Sequence, residues 1–123
     1  MGHGERTPIA VDVADVLGLQ QPTFVRGWVL APDPPPASAP VVYCLAGGHC
    51  STDYFDLRVG DEDTYRMAAH FARNGIVVVA VDHPGIGSSD PVPDIFTLTP
   101  SVVAAVHAKV HLKVVQDLRH GAL

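Results

Sequence analysis

Val41-Val-Tyr-Cys-Leu-Ala-Gly-Gly-His-Cys50, a helical stretch, then Gly75-Ile-Val-Val-Val-Ala-Val-Asp-His-Pro-Gly-Ile-Gly-Ser-Ser-Asp90: this region decides the fold. Two all-apolar runs, Val41 to Ala46 and Ile76 to Val81, each end abruptly in a glycine-rich loop. A strand with no polar face suits a parallel sheet covered by helices on both sides. Ligands of such sheets collect at the loops beyond the carboxyl ends of the strands. Both Gly47 to Cys50 and Asp82 to Ser89 are expected on that edge.

Between the runs, Asp61 to Asn74 reads as a helix. Asp61 is placed to cap it, Glu62 and Asp63 fall in the first turn, and Asn74-Gly75 is a stop signal. Tyr65, Ala68, Ala69, Phe71 and Ala72 give its packing face. Strand, helix, strand in that order fits a right-handed crossover between parallel strands. Residues 47–60 form an irregular loop whose Tyr54, Phe55 and Leu57 imply that part of it packs down.

Working outward toward the N-terminus, Ile9, Val11 and Val13 alternate with Ala10, Asp12 and Ala14, a short half-buried strand closed by Gln20-Gln21-Pro22. Thr23 to Leu30 is a second strand, weakened at its centre by Gly27. Residues 31–40 hold five prolines and form a stiff surface connection. Toward the C-terminus, Pro91 and Pro93 mark a loop. Thr99-Pro100 starts a helix whose apolar stripe is Val103, Val106, Val110, Val114 and Leu118, and Gly121 ends it.

The 123 residues are expected to form a single domain. Apolar residues are 47% and charged residues 17%, a composition that buries a core rather than staying disordered. The net charge of −5 and the absence of a basic patch argue against nucleic acid and anionic membranes as partners. Apolar runs of about six residues are far short of the ~20 that span a bilayer. The stretch Met-Gly-His-Gly-Glu-Arg lacks the apolar segment of a signal peptide, and Arg6 breaks the myristoylation pattern. A cytoplasmic chain is expected. Cys44 and Cys50 read as buried, reduced thiols.

From Val41 to Asp90 the sequence resembles the N-terminal portion of an α/β-hydrolase. Ala46-Gly47-Gly48-His49 stands where that family has a His-Gly-X loop. Gly75 to Ser89 is close to its G-x-x-V-x-x-x-D-x-x-G-x-G-x-S stretch. With the flanking strands the likeness covers most of residues 23–120. It implies a partial three-layer α/β sheet, mostly parallel with an antiparallel N-terminal strand pair, followed by the helix that precedes the nucleophile strand. In the complete family the reaction is hydrolysis of an ester, amide or similar bond of a small acyl substrate. There the nucleophile sits in G-x-S-x-G, with the acid and histidine after it. No G-x-S-x-G occurs here, so nucleophile, acid and base are all absent and no catalytic residue is assigned. The chain reads as truncated before that element, an incomplete domain with little or no activity alone. What it keeps is half an oxyanion hole, with the backbone N–H of Gly48 as the donor and His49 next to it. Such donors act where negative charge develops on the substrate oxygen, and glycine lets backbone approach a ligand.

Other residues admit plainer roles. Gly47 and Gly48 also fit a tight turn. Asp82 and His83, adjacent at a strand end, point to opposite faces, so Asp82 is read as a turn stabiliser with Gly85 and Gly87. Ser89 has no base and is expected to hydrogen-bond within its turn. His107 and His111 have zinc-ligand spacing, but Ala108 replaces the required Glu and no third ligand is evident. No metal is therefore expected, with His107 beside the stripe and His111 and His120 turned outward. Gly85 to Ser89 lacks the Lys of a phosphate loop, so no nucleotide cofactor is expected. The rival reading is a non-catalytic, degenerate hydrolase module that acts in binding. In either case the strand Ile76 to Val81, or its neighbour, is expected as an exposed sheet edge that invites self-association.

Overall fold

In the computed structural model, residues 2–48, 50–121 and 123 are described. Along the chain run β1 (Gly2–His3), β2 (Thr7–Asp12), α1 (Ala14–Leu17), β3 (Phe24–Leu30), β4 (Pro32–Asp33), β5 (Val41–Leu45), α2 (Met67–Arg73), β6 (Val77–Val81) and α3 (Pro100–Arg119). Short 3-10 turns at Thr52–Asp56 and Ile95–Thr97 interrupt the two longer loops.

The main sheet has the order β2-β3-β6-β5. The strand β6 lies inside it and is buried at every position, which is why its five residues carry no polar side chain. It pairs in parallel with β5, Val41 opposite Val77 through Leu45 opposite Val81. The N-terminal pair β2–β3 is antiparallel, and β3 also pairs antiparallel with β6. The α/β class and the antiparallel N-terminal pair are thus as expected. The balance of ladders differs from the expected mostly parallel sheet, because β6 inserts beside β3 and leaves β5–β6 as the one parallel ladder among the described residues.

That insertion explains Gly27. A Cβ there would lie 2.0 Å from the Ala80 carbonyl oxygen, so only glycine lets β3 meet β6. What looked in sequence like a weak strand centre is a close backbone crossing.

Alternation along β6 divides the core into two layers. Val77, Val79 and Val81 face Val106, Val110 and Val114 of α3, with Ile9, Val11, Val25 and Val29. Val78 and Ala80 face Ala68, Ala69 and Ala72 of α2, with Trp28, Leu30 and Cys44. Helices therefore cover both faces, and the three-layer arrangement holds. The start of α3 is as read: the Thr99 hydroxyl accepts from the Val102 N–H and Pro100 opens the first turn.

The helix α2 begins six residues later than expected, at Met67, and Asp61 does not cap it. Instead Val59 and Glu62 pair across a turn at Gly60. The Asp63 carboxylate accepts from Arg73 at 2.8 Å, and its carbonyl accepts from His70 Nε2–H at 2.9 Å. Asp63 thus ties down the other end of the helix from outside it, and Tyr65 is 55% exposed rather than on the packing face. The one-turn helix α1 has too short a pattern to be read in sequence. The proline-rich segment is surface, as expected, apart from the two residues of β4 that pair with β1. Among the described residues no helix is long and apolar enough to cross a membrane.

Candidate functional site

The parallel β5–β6 ladder brings the two glycine loops to one edge of the sheet, because both strands run out in the same direction. Asp82 and His83 then diverge. Asp82 turns toward the Thr52–Asp56 side, where it is 3% exposed. One carboxylate oxygen accepts from the Thr52 N–H at 2.9 Å; the other accepts from the Ser88 N–H at 3.0 Å and the Ser88 hydroxyl at 2.7 Å. One side chain therefore staples the loop after β5 to the turn after β6. Gly87 is required beside it: its φ is +54°, and a Cβ would lie 2.6 Å from the Asp82 carboxylate. Gly85 also has positive φ, but in open space.

Ser89 is not available as a nucleophile. Its buried Oγ donates to the Asp82 carbonyl at 2.8 Å and accepts from the Arg26 N–H at 2.9 Å. Its partners thus extend beyond the turn to β3. Asp90 continues the pattern, accepting from the Phe24 N–H at 2.8 Å and pairing with the Arg26 guanidinium. The hydrogen bond from Arg26 holds the Asp90 carboxyl below its ordinary range. The turn replaces a missing strand residue by residue, feeding side-chain oxygens to β3 where β6 has stopped. Its own amides are consumed as well: those of Gly85, Ile86, Ser88 and Ser89 all have acceptors within residues 82–90. A phosphate cradle needs a run of free amides, and here only those of His83 and Gly87 lack an acceptor among the described residues.

The loop after β5 is held from below by Asp56, whose side chain is fully buried. Burial raises its pKa, but hydrogen bonds from Arg66 and then Arg6 outweigh this and the net shift is downward. Arg66 contacts both carboxylate oxygens at 3.1 Å, and Arg6 reaches one at 3.0 Å. Arg6 also lies over the Trp28 ring, 4.6 Å from its centroid. A cleft of about 530 Å³ opens here, lined by Arg6, Gly27, Trp28, Thr52, Asp53, Asp82 and Ser88 among others. Its lining does not include Gly47 or Gly48.

Gly47 and Gly48 are exposed on the rim. Neither has positive φ, and a Cβ at either would meet nothing within 4 Å. Their amides have no hydrogen-bond acceptor among the described residues, while the Gly47 carbonyl accepts from the Cys50 N–H at 3.1 Å. The fold itself therefore gives no reason for glycine at these two positions. His49, the other expected oxyanion residue, lies outside the described residues.

On the opposite face from Asp82, three side chains form a chain of hydrogen bonds. The Tyr43 hydroxyl lies 3.0 Å from His107 Nδ1, and His107 Nε2 lies 2.9 Å from His83 Nδ1. His83 Nε2 lies 3.2 Å from the Ala46 carbonyl oxygen. Burial and the neighbouring His83 push the His107 pKa down to about 4, and burial raises that of Tyr43. This cluster was not foreseen. The sequence places His107 beside the apolar stripe, but its partners are 24 and 64 residues away. His111 is exposed and stacks edge-on against Tyr43 at 5.2 Å. Among the described residues no three His, Cys, Asp or Glu side chains group as a metal site. Cys44 is buried as expected, but Cys50 is exposed, since it sits on the rim loop rather than in the core.

Neither protein-family models nor curated proteins give a match to this chain. Among solved structures, a match is the alpha/beta hydrolase GrgF from Penicillium sp. sh18, at 25% identity and a TM-score of 0.44. The match covers 73% of this chain, and the chain spans a quarter of the length of that protein.

Proposed function

We propose that this chain is the N-terminal portion of an α/β-fold serine hydrolase, supplying one side of an acyl-transfer site through the Gly48 N–H, with His49 next to it. The observation that carries this reading is the pair of exposed glycines, Gly47 and Gly48, at the carboxyl end of β5. Their amides are unpartnered among the described residues, and nothing in the fold demands glycine there. Donors of this kind stabilise charge on a substrate oxygen. The complete site would act on an ester or amide bond of a small acyl substrate. The attacking hydroxyl, its base and its acid are not assigned to residues of this chain, and Ser89 is committed to structure. The two free cysteines fit a reducing compartment such as the cytoplasm.

Two measurements test this. Assayed on an activated acyl ester, the chain alone is expected to show no turnover above buffer; turnover that tracks the protein and disappears in Ser89→Ala would overturn it. Titration with a small carboxylate such as butyrate is expected to shift the Gly47 and Gly48 amide resonances. Amides that stay still at saturating butyrate would sink the oxyanion role.

A further inference from the structure

We propose that Tyr43, His107 and His83 form a one-directional positioning relay that clamps the Ala46 carbonyl and so sets how the Gly47–Gly48 amides are presented. The inference rests on the oxyanion reading of that loop for its purpose, but not for its geometry.

The direction follows from the end of the chain. A carbonyl oxygen only accepts, so His83 Nε2 carries a proton and donates to Ala46. With the ring neutral, His83 Nδ1 is then an acceptor. His107 Nε2 must therefore donate to it across 2.9 Å, which leaves His107 Nδ1 as an acceptor. Tyr43 can only meet that nitrogen by donating its hydroxyl proton at 3.0 Å. Each proton is fixed by the one before it, and both imidazoles are Nε2–H tautomers.

The consequence reaches the rim through one peptide plane. The Ala46 carbonyl and the Gly47 N–H belong to the same trans peptide and point opposite ways. Drawing the carbonyl toward His83 turns the Gly47 N–H away from His83, and the Gly48 N–H follows one peptide further along the same loop. Glycine has no side-chain packing with which to hold such a loop, so an outside clamp is needed. The groups facing the two rings are Tyr43 from β5, His111 against the Tyr43 ring, and the rings themselves, packed edge to face at 4.8 Å. His83, His107 and Tyr43 are positioning residues here.

Nuclear magnetic resonance of the imidazole nitrogens and backbone amides tests the relay without any activity. In the wild-type protein at mildly alkaline pH, His83 and His107 are expected as Nε2–H tautomers. Tyr43→Phe, which removes one oxygen atom two rings away from the loop, is expected to shift the Gly47 and Gly48 amide resonances. His83→Leu is expected to shift them further, and His83→Gln, which can still donate to Ala46, to bring them back toward wild type. An Nδ1–H tautomer at either ring overturns the relay. So do Gly47 and Gly48 resonances that stay at their wild-type positions in Tyr43→Phe. A relay that passes while butyrate leaves the Gly48 amide unmoved removes the oxyanion reading alone; a butyrate response with the wrong tautomers removes the relay alone.

Discussion

Asp82 shows how much one side chain can organise at a loop junction. Its carboxylate accepts three hydrogen bonds from two loops while almost wholly buried. Asp82→Ala strands the buried Thr52 N–H and removes the acceptor of the Ser88 N–H and hydroxyl, at an expected cost of about 2 kcal/mol read from chemical denaturation. Gly87→Ala is expected to cost more than Gly85→Ala. Both pay the left-handed penalty of about 1–2 kcal/mol, but only the first drives a methyl into the Asp82 carboxylate. His107 gives the pH dependence. Its folded pKa of about 4 lies below the ordinary 6.5, so the unfolded chain takes up the proton first. The contribution of His107 to stability is therefore full above pH 6.5, declines as the pH falls toward 4, and is gone below. Melting temperatures across that range should fall less steeply in His107→Phe. The role of Asp82 was legible in sequence, because an acid followed by two spaced glycines after a strand reads as a turn. The histidine relay was not, because no local pattern marks bonds between residues on different elements.

Among the elements, β3 holds the least obvious requirement. Gly27→Ala is expected to destabilise the protein by about 3 kcal/mol or more, since the obstacle is a backbone carbonyl rather than a movable side chain. Gly47→Ala and Gly48→Ala should change stability by no more than about 0.5 kcal/mol, as their Cβ positions are open. Thermal melts of the three variants separate a glycine the fold needs from two it does not. The four strands of the main sheet and α3 were legible because each buries a clear face: period two in β2, a continuous apolar run in β6, a valine stripe in α3; the two-residue strands β1 and β4 were not. The start of α2 was misread because Asp61, Glu62 and Asp63 have the composition of a first helical turn. What decides the matter is a tertiary pair, Asp63 with Arg73, that composition cannot show.

For the whole molecule, the sheet presents β2 and β5 as its two edges among the described residues. The edge β5 reads Val-Val-Tyr-Cys-Leu, with no charge or proline inside it to discourage a second strand, and Leu45 is 41% exposed. We propose that two copies meet along β5. Size-exclusion chromatography should show a dimer that dissociates on dilution, and Leu45→Lys should favour the monomer; a monomer at every concentration would count against it. The α/β class was readable from the alternation of elements. The ladder balance was not, because it depends on where β6 inserts, and Gly27 permits that position without announcing it. The same architecture separates the two sulfur atoms. Cys44 is buried, and burial raises its pKa, while Cys50 stands exposed two residues beyond Gly48. A maleimide dye should accordingly take up one equivalent in native buffer and two in guanidinium. The rim thus comes with its own attachment point, where a fluorophore can watch the glycine loop without any engineered residue.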